Sequence, residues 1–195
     1  MEVRLKVAGP QLVVLAGPNG AGKSTIARLL LPEGVVFLNA DEIAKGLPEG
    51  PGRDLRAGRR LYEQWDMLTV RRASFAFETT LANRVLLKRI AAMQASGYLV
   101  SLVFLWLPGA EVALERVAER VRRGGHDIPE ATIRRRYGAG LRNLVTLYLP
   151  AVDTWRVYDN SGLSSPALIS EGVRGRSVVV YKEEQWNQIV PSRRA

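Results

Sequence analysis

Cysteine is absent from the sequence of 195 residues, and His126 is its only histidine. Without thiols the chain forms no disulfide bond and no thiolate zinc site, and a single imidazole is too few for a histidine-based structural zinc site. Chains without disulfides are typical of the cytosol, so we expect a cytoplasmic protein.

Long apolar runs are scarce as well. The longest nearly apolar stretch, residues 98–108, is too short to span a bilayer as a helix and is better explained as a buried strand. Residues 1–10 alternate charged and apolar side chains and lack the continuous apolar run of a secretory leader. We therefore expect neither a leader nor a membrane partner.

Positive charge is in excess. The chain has 28 Lys and Arg against 19 Asp and Glu, which gives a net charge of +9. Such an excess favours anionic partners, namely nucleotides, phosphorylated metabolites or nucleic acid. A solvated basic surface explains the same excess equally well, because the charges are spread from Arg53 to Arg194.

Short apolar segments alternate with segments of helical spacing along the chain. The predicted strands are residues 11–16, 34–41, 74–80, 98–107 and 155–161, and the predicted helices are 23–31, 53–72, 82–94, 110–123 and 129–144. This order is typical of an α/β fold, with a mainly parallel sheet covered by helices. We expect one domain, residues 1–195, with a C-terminal β-hairpin at about residues 166–182 and a frayed tail at residues 190–195.

Residues 17–24 read GPNGAGKS and match the phosphate-loop pattern G-x-x-x-x-G-K-[ST] in full. A predicted strand precedes them and a predicted helix follows, which is the context that the pattern requires. Glycines permit positive φ and bring backbone N–H groups close to phosphate oxygens, and the helix N-terminus attracts the anion. Lys23 is expected to reach the β- and γ-phosphates and Ser24 to hold Mg²⁺. The residues expected to bind ATP are Gly17, Pro18, Asn19, Gly20, Ala21, Gly22, Lys23, Ser24 and Thr25.

A phosphate loop alone does not distinguish kinases from switch GTPases or mechanical ATPases. The chain lacks the N-K-x-D motif for guanine, which favours ATP. The second predicted strand ends in NADE, where small-molecule kinases commonly place a carboxylate that faces the acceptor hydroxyl. Asp41 is therefore a candidate catalytic base. The alternative is that Asp41 caps the helix that follows, and the two roles are compatible.

The strand predicted at residues 74–80 ends in the polar residues Glu78 and Thr79. Phe75 and Phe77 alternate along it, so Glu78 lies at its polar end, where a carboxylate would bind Mg²⁺ or a substrate hydroxyl. The alternative is a glutamate that merely faces solvent. We assign Glu78 and Thr79 to the substrate side, and Glu78 with Ser24 to the metal site.

Arginines concentrate in residues 116–136, on two predicted helices joined by a Gly-Gly turn. Helices joined in this way can close over a nucleotide as a lid, and a lid arginine can neutralise charge on the transferred phosphoryl group. Not all of these arginines are catalytic, because some are simply solvated. The catalytic candidates are Arg120, Arg123 and Arg136.

Several stretches, in order along the chain, resemble the zeta-toxin family of P-loop kinases over roughly residues 10–161. They are GPNGAGKST, NADEIA, FETTLA, RVAERVRRGGHDIPEATIRRRY and VYDNS. The resemblance implies a Rossmann-like P-loop kinase core that uses ATP and Mg²⁺ to phosphorylate a hydroxyl of a nucleotide sugar such as UDP-N-acetylglucosamine. A protein antitoxin is a possible partner on the same basis.

The resemblance also implies roles for individual residues. Lys23 and Ser24 would bind phosphate and metal, Asp41 would be the base, and Glu78 would belong to the substrate or metal site. The lid arginine that contacts the γ-phosphate is left open among Arg120, Arg123, Arg135 and Arg136. The chain is shorter than the characterised toxins and its C-terminal hairpin has no counterpart that we can place, so the acceptor is open too.

Asn160, in VYDNS, lies in a segment that looks like the one bordering adenine or ribose in such kinases. The alternative is a tight turn chosen for its backbone geometry. Two other functions stay open for the whole chain. A polynucleotide 5′-kinase would suit the net charge, although the arginines concentrate in the lid. A P-loop ATPase or switch subunit would have no need of Asp41.

Overall fold

The computed structural model describes residues 9–162, 165–176 and 178–190. The expectations for a leader in residues 1–10 and for fraying in residues 190–195 lie almost entirely outside these ranges. Within the described ranges, none of the helices combines the length and the apolar character that crossing a membrane requires.

The centre of the fold is one mainly parallel sheet. Its strands are β1 (Gln11–Ala16), β2 (Val36–Leu38), β3 (Phe75–Thr79), β4 (Leu99–Trp106), β5 (Thr154–Asp159), β6 (Ala167–Val173) and β7 (Val178–Val180). The 7-stranded sheet has the order β2-β3-β1-β4-β5-β6-β7. The first five strands of the chain, β1 to β5, pair in parallel, whereas β6 and β7 are antiparallel additions at one edge. The predicted α/β fold is confirmed.

Helices cover both faces of this sheet. They are α1 (Lys23–Leu30), α2 (Ala40–Lys45), α3 (Arg53–Val70), α4 (Val85–Ala95), α5 (Ala110–Arg122), α6 (Glu130–Asn143), α7 (Leu149–Ala151) and α8 (Glu183–Ile189). Their buried residues recur at helical spacing, as Ala57, Leu61 and Trp65 do in α3. Each longer helix therefore presents one apolar stripe to the sheet.

The core has two parts, one on each face of the sheet. Successive side chains of a strand point to opposite faces, so Leu12 and Val14 pack into one part and Leu15 into the other. The first part is closed by α3 and α4, and the second by α1, α5 and α6. Every residue of β1 is buried, which explains why its sequence is almost continuously apolar.

The C-terminal strands extend the main sheet. The hairpin predicted at about residues 166–182 is formed by β6 and β7, and β6 also pairs with β5. Trp155 of β5 stacks on Trp186 of α8 with 5.7 Å between ring centroids. Glycine is required at position 172, because a Cβ there would lie 2.5 Å from the Trp155 ring. The sequence pattern did not predict α8.

Two predicted elements differ from the structure near the site. The strand predicted at residues 34–41 is limited to Val36–Leu38, because Asn39 already begins α2 as its N-cap. The helix predicted at residues 129–144 ends at Asn143 and continues as one π-helical turn, Leu144–Tyr148. Both differences place polar side chains beside the carboxyl ends of the strands, where ligands bind in parallel sheets.

Candidate active site

The loop between β1 and α1 has the backbone of a phosphate-binding loop. Gly17, Gly20 and Gly22 have φ values of 146°, 77° and 78°, so the positive φ expected for these glycines is present. A Cβ at Gly17 would lie 2.5 Å from the carbonyl oxygen of Leu105. Only glycine fits there, and the loop therefore packs closely onto β4.

Lys23 is buried at the centre of this loop. Its Nζ donates to the carbonyl oxygens of Gly17 at 3.0 Å and Pro18 at 2.9 Å, and it lies 3.6 Å from Glu78 Oε1. Burial lowers the pKa of Lys23 because the ammonium loses its hydration, and the nearby Glu78 carboxylate partly opposes this effect. The loop thus holds a desolvated cation that is well placed to exchange loop carbonyls for phosphate oxygens.

Glu78, at the end of β3, links three elements. Its Oε2 accepts hydrogen bonds from Ser24 Oγ at 2.8 Å and from Asn39 Nδ2 at 2.7 Å, while its Oε1 faces Lys23. Ser24 and Glu78 therefore place two oxygen ligands side by side. Mg²⁺ typically takes one or two protein oxygens and fills its other positions with water and phosphate, so this pair fits Mg²⁺ bound together with a nucleotide.

No group of three or more His, Cys, Asp or Glu side chains in the described ranges is arranged to hold a metal ion. The pair of Ser24 and Glu78 is thus a partial ligand set. Its completion depends on oxygen ligands from a bound nucleotide and water.

Asn39 is a residue of the candidate site that was not identified from the sequence. It is buried, and its Oδ1 accepts from the backbone N–H groups of Asp41 at 2.8 Å and Glu42 at 3.3 Å. Asn39 therefore caps α2, which corrects the alternative that Asp41 is the cap. The sequence carried a signal for the cap, because asparagine directly after a strand is among the strongest N-caps, but no signal for the hydrogen bond to Glu78.

Asp41 lies at the junction of two cavities. The smaller, of about 390 Å³, is lined by the phosphate loop, and the larger, of about 670 Å³, lies between the α2–α3 region and α5. The residues that line both are Asp41, Lys45, Arg116, Arg120, Gly125 and His126. The Asp41 carboxylate is exposed, so it is accessible to a molecule in either cavity.

The candidate lid arginines occupy different places. Arg120 lines both cavities, and its Nη2 donates to the carbonyl oxygen of His126 at 2.8 Å. Its Nε is buried and makes no hydrogen bond to the described parts of the chain. Arg123 is exposed, lines only the larger cavity and bonds Glu119 at 2.8 Å. Arg136 lines a separate crevice beside Pro18 and Trp106. Among these three candidates Arg120 is therefore the one that lines both cavities, as the neighbouring Arg116 also does.

Thr79 and Asn160 are tied to the backbone around the phosphate loop. The carbonyl oxygen of Thr79 accepts from the Gly17 N–H at 3.2 Å, and its Oγ1 accepts from the Leu81 N–H at 3.1 Å. Asn160 Nδ2 donates to the carbonyl oxygen of Ala21 at 2.8 Å. Both residues hold the loop in place, whatever further contacts they make with a ligand.

Arg116 begins the arginine-rich segment and was not among the catalytic candidates, but it connects α5 to the segment after β5. Its Nη2 donates to the carbonyl oxygen of Ser161 at 2.7 Å, and its Cβ packs against Gly20. The phosphate loop thus contacts α5 through Gly20 and the segment after β5 through Asn160. Sequence spacing places Arg116 and Arg120 on one face of α5, but it does not show that this face meets the loop.

Comparison with known proteins is consistent with this geometry. A family model for the AAA domain matches residues 12–137, which contain the phosphate loop, Asp41, Glu78 and the arginine-rich segment 116–136. An uncharacterized protein of Haemophilus influenzae is 28% identical over 136 residues, which amount to 69% of this chain and 97% of that protein.

Solved structures share the fold. A structure of the PezAT chromosomal toxin–antitoxin system of Streptococcus pneumoniae matches 93% of this chain and 78% of its own chain, with a TM-score of 0.71 and 16% identity. The AvrRxo1-ORF1:ORF2 complex with ATP matches 93% of this chain but only 63% of its own chain, with a TM-score of 0.69 and 16% identity. The Pnkp1/Rnl/Hen1 RNA repair complex matches 74% of this chain and 48% of its own chain, with a TM-score of 0.60 and 20% identity.

Proposed function

This chain belongs to the AAA domain family, and we propose that it is an ATP-dependent kinase that transfers the γ-phosphate to a hydroxyl group of a small molecule. The observation that carries the proposal is the position of Asp41, which faces both the cavity at the phosphate loop and the larger cavity beside it. A carboxylate between a triphosphate and a second ligand is what phosphoryl transfer to a hydroxyl requires. A P-loop switch would need no such group.

The phosphate loop and Lys23 would bind the phosphates of ATP. The loop supplies backbone N–H groups at the start of α1, and Lys23 would leave the carbonyl oxygens of Gly17 and Pro18 to reach the β- and γ-phosphates. Ser24 and Glu78 would hold Mg²⁺, which neutralises phosphate charge when it is bound. Asn39 would keep Glu78 oriented toward Ser24.

Asp41 would act as the base. The acceptor oxygen forms a bond to the γ-phosphorus, the bond from that phosphorus to the β–γ bridging oxygen breaks, and ADP leaves with the electron pair. The hydroxyl proton passes to the Asp41 carboxylate. Arg120, which lines both cavities and has a buried Nε without a partner in the described chain, would stabilise the transferred group.

The larger cavity would bind the acceptor. Most of the residues that line it are charged, and they include the basic Lys45, Arg53 and Arg123 together with acidic side chains. This chemistry suits a polyhydroxylated molecule that carries phosphate, and the volume of about 670 Å³ is in the range of ligand sites. A nucleotide sugar such as UDP-N-acetylglucosamine meets both conditions and agrees with the zeta-toxin resemblance. A protein antitoxin is proposed as a partner, because the PezAT structure is described as a toxin–antitoxin system.

A polynucleotide 5′-kinase is the second candidate. It is favoured by the net charge of +9 and by the shared fold with a chain of an RNA repair complex. Nucleic acid bound through phosphates would show a steep decrease of affinity with salt concentration. A small acceptor enclosed in the cavity would depend less on salt.

The first prediction concerns Asp41→Asn. Transfer of label from γ-labelled ATP to the acceptor should fall by about 100-fold or more, because the amide accepts no proton. Affinity for Mg·ADP, measured by calorimetry, should stay at the wild-type value. The acceptor panel contains UDP-N-acetylglucosamine, other nucleotide sugars, nucleosides and a 5′-hydroxyl oligonucleotide. The matched control is Asp66→Asn, because Asp66 is an exposed residue of α3 that lines neither cavity.

Each outcome has a distinct meaning. Label in one acceptor class that disappears with Asp41→Asn supports the kinase and identifies the acceptor. Normal turnover of Asp41→Asn would refute its assignment as the base. Release of free phosphate at one rate, whatever is added, would indicate a P-loop ATPase instead.

A further inference from the structure

The turn that follows β3 has a strained backbone at a buried residue. Leu81 has a φ of 57°, a left-handed conformation that residues other than glycine rarely adopt, and it is 1% exposed. Such strain persists only where the surrounding structure imposes it, and it is concentrated at functional sites. The turn, residues 79–83, begins one residue after Glu78.

Side chains from three directions hold this turn. Thr79 Oγ1 accepts from the Leu81 N–H at 3.1 Å, Asn143 Nδ2 donates to the Leu81 carbonyl oxygen at 2.8 Å, and the Tyr148 hydroxyl donates to the Asn83 carbonyl oxygen at 2.7 Å. Asn143 and Tyr148 are both buried. A buried amide or hydroxyl whose hydrogen bond goes to a single backbone group has a definite structural task.

The π-helical turn explains how Asn143 and Tyr148 reach the same segment. They are five residues apart, and in an α-helix that separation would place them about 140° apart around the axis. In the π-helical turn the Leu149 N–H donates to the Leu144 carbonyl oxygen, a hydrogen bond across five residues. Residues five apart then lie on nearly the same side of the helix. Both side chains therefore point at the turn after β3.

The backbone of α6 also touches the turn. A Cβ at Gly140 would lie 2.4 Å from the Thr80 carbonyl oxygen, so this helix packs backbone to backbone against the turn. In the other direction, the Thr79 carbonyl oxygen accepts the N–H of Gly17, the first residue of the phosphate loop. The turn thus connects α6 to both Glu78 and the phosphate loop.

We propose that Asn143 and Tyr148 are positioning residues that fix the Glu78 carboxylate through the strained turn at residues 79–83. They line neither of the two cavities and act through the backbone of this turn. The proposal rests on the proposed function, because it assigns Glu78 to the Mg²⁺ site of a nucleotide-binding enzyme. It makes α6 the fixed part of the lid region.

The test compares Tyr148→Phe, which removes one hydroxyl and keeps the ring, with Asn143→Ala. Thr146→Ala is the control, since Thr146 lies in the same π-helical turn but is exposed and bonds only the Arg142 carbonyl oxygen. ADP affinity is measured by calorimetry with Mg²⁺ and again with EDTA. Hydrogen exchange of the Leu81 amide is measured in the protein without nucleotide. Both experiments use the full chain.

A positioning role predicts that each substitution changes the ADP affinity measured with Mg²⁺ but not the ADP affinity measured in EDTA. Tyr148→Phe should lower the affinity for ADP with Mg²⁺ by about 5-fold, the loss expected for one hydrogen bond, and leave the affinity in EDTA unchanged. The Leu81 amide should exchange about 5-fold faster for the same reason. Asn143→Ala should show the same pattern, and Thr146→Ala should show neither effect.

Wild-type Mg·ADP affinity in a folded Tyr148→Phe variant would overturn the proposal. An equal loss with and without Mg²⁺ would also overturn it, because it would indicate a general loss of structure. If Asn143→Ala does not fold, Tyr148→Phe decides the outcome. Failure of the kinase function would appear separately, as a wild-type protein that binds Mg·ADP normally but labels no acceptor.

Discussion

The two sides of the candidate site are both built from charged and polar residues, but one side is largely buried and the other is exposed to solvent. The phosphate side is defined as Lys23, Ser24, Asn39 and Glu78. It is largely buried, and Glu78 joins the other three residues through two hydrogen bonds and one ion pair. The lid side is formed by exposed ion pairs within and between α5 and α6. These pairs are Glu119 with Arg122 and Arg123, and Arg134 with Glu111 and Glu130.

This difference determines what each side can do. A buried group that loses its partner bears the full cost of desolvation, so the phosphate side keeps one arrangement. Exposed ion pairs exchange readily with water and contribute little to stability. The lid side can therefore rearrange around a ligand at small cost, whereas the phosphate side is organised in advance.

The largest predicted effect is on the phosphate side. Lys23→Ala should reduce the affinity for Mg·ATPγS by about 100-fold or more, because it removes a desolvated cation at the phosphates. Calorimetry measures this, with Lys88→Ala on the exposed side of α4 as the control. Wild-type affinity in Lys23→Ala would mean that the loop binds phosphate without its lysine. The contrast between a preorganised phosphate side and an adaptable lid side would then not hold.

An intermediate effect is predicted within α6, where Gly140 packs against the turn after β3 and Gly138 does not. Gly140→Ala should destabilise the protein by about 2–3 kcal/mol, because its Cβ would lie 2.4 Å from the Thr80 carbonyl oxygen. Gly138→Ala should instead stabilise it by about 0.5–1 kcal/mol, because a Cβ there meets only Arg142 Nη1 at 3.6 Å and alanine favours the helix. Urea unfolding measures both. Equal effects would show that α6 is not anchored at Gly140.

The smallest effect is predicted on the lid side. The guanidinium groups of Arg122 and Arg123 lower the pKa of Glu119, so its contribution to stability exists above the pKa of the unfolded chain and is lost as the pH falls through the folded pKa. Because the pair is exposed, Glu119→Gln should change the Tm by at most about 2 °C at neutral pH. Thermal unfolding at low and high salt measures this. A larger shift in Tm would mean that the exposed ion pairs of the lid contribute to stability as strongly as the buried contacts of the phosphate side do.

The sequence predicted the parts of the site that depend on local pattern. Positive φ at Gly17, Gly20 and Gly22 followed from the phosphate-loop motif, and β1 followed from its apolar run. The roles of Asp41, Arg120 and Asn160 stay predictions. Asn39 was missed because an N-cap and a hydrogen-bond donor to Glu78 look the same in a sequence.

By itself, therefore, the sequence determined the α/β class and the phosphate loop and predicted a candidate site after the strands, since all three follow from residue type and periodicity over short distances. Only the tertiary structure decided which polar groups are buried together. Ser24 meets Glu78 across 54 positions, and Asn143 meets Leu81 across 62. The same is true of the π-helical turn and the strained Leu81, because each is unfavourable on its own and persists only where the surrounding structure imposes it.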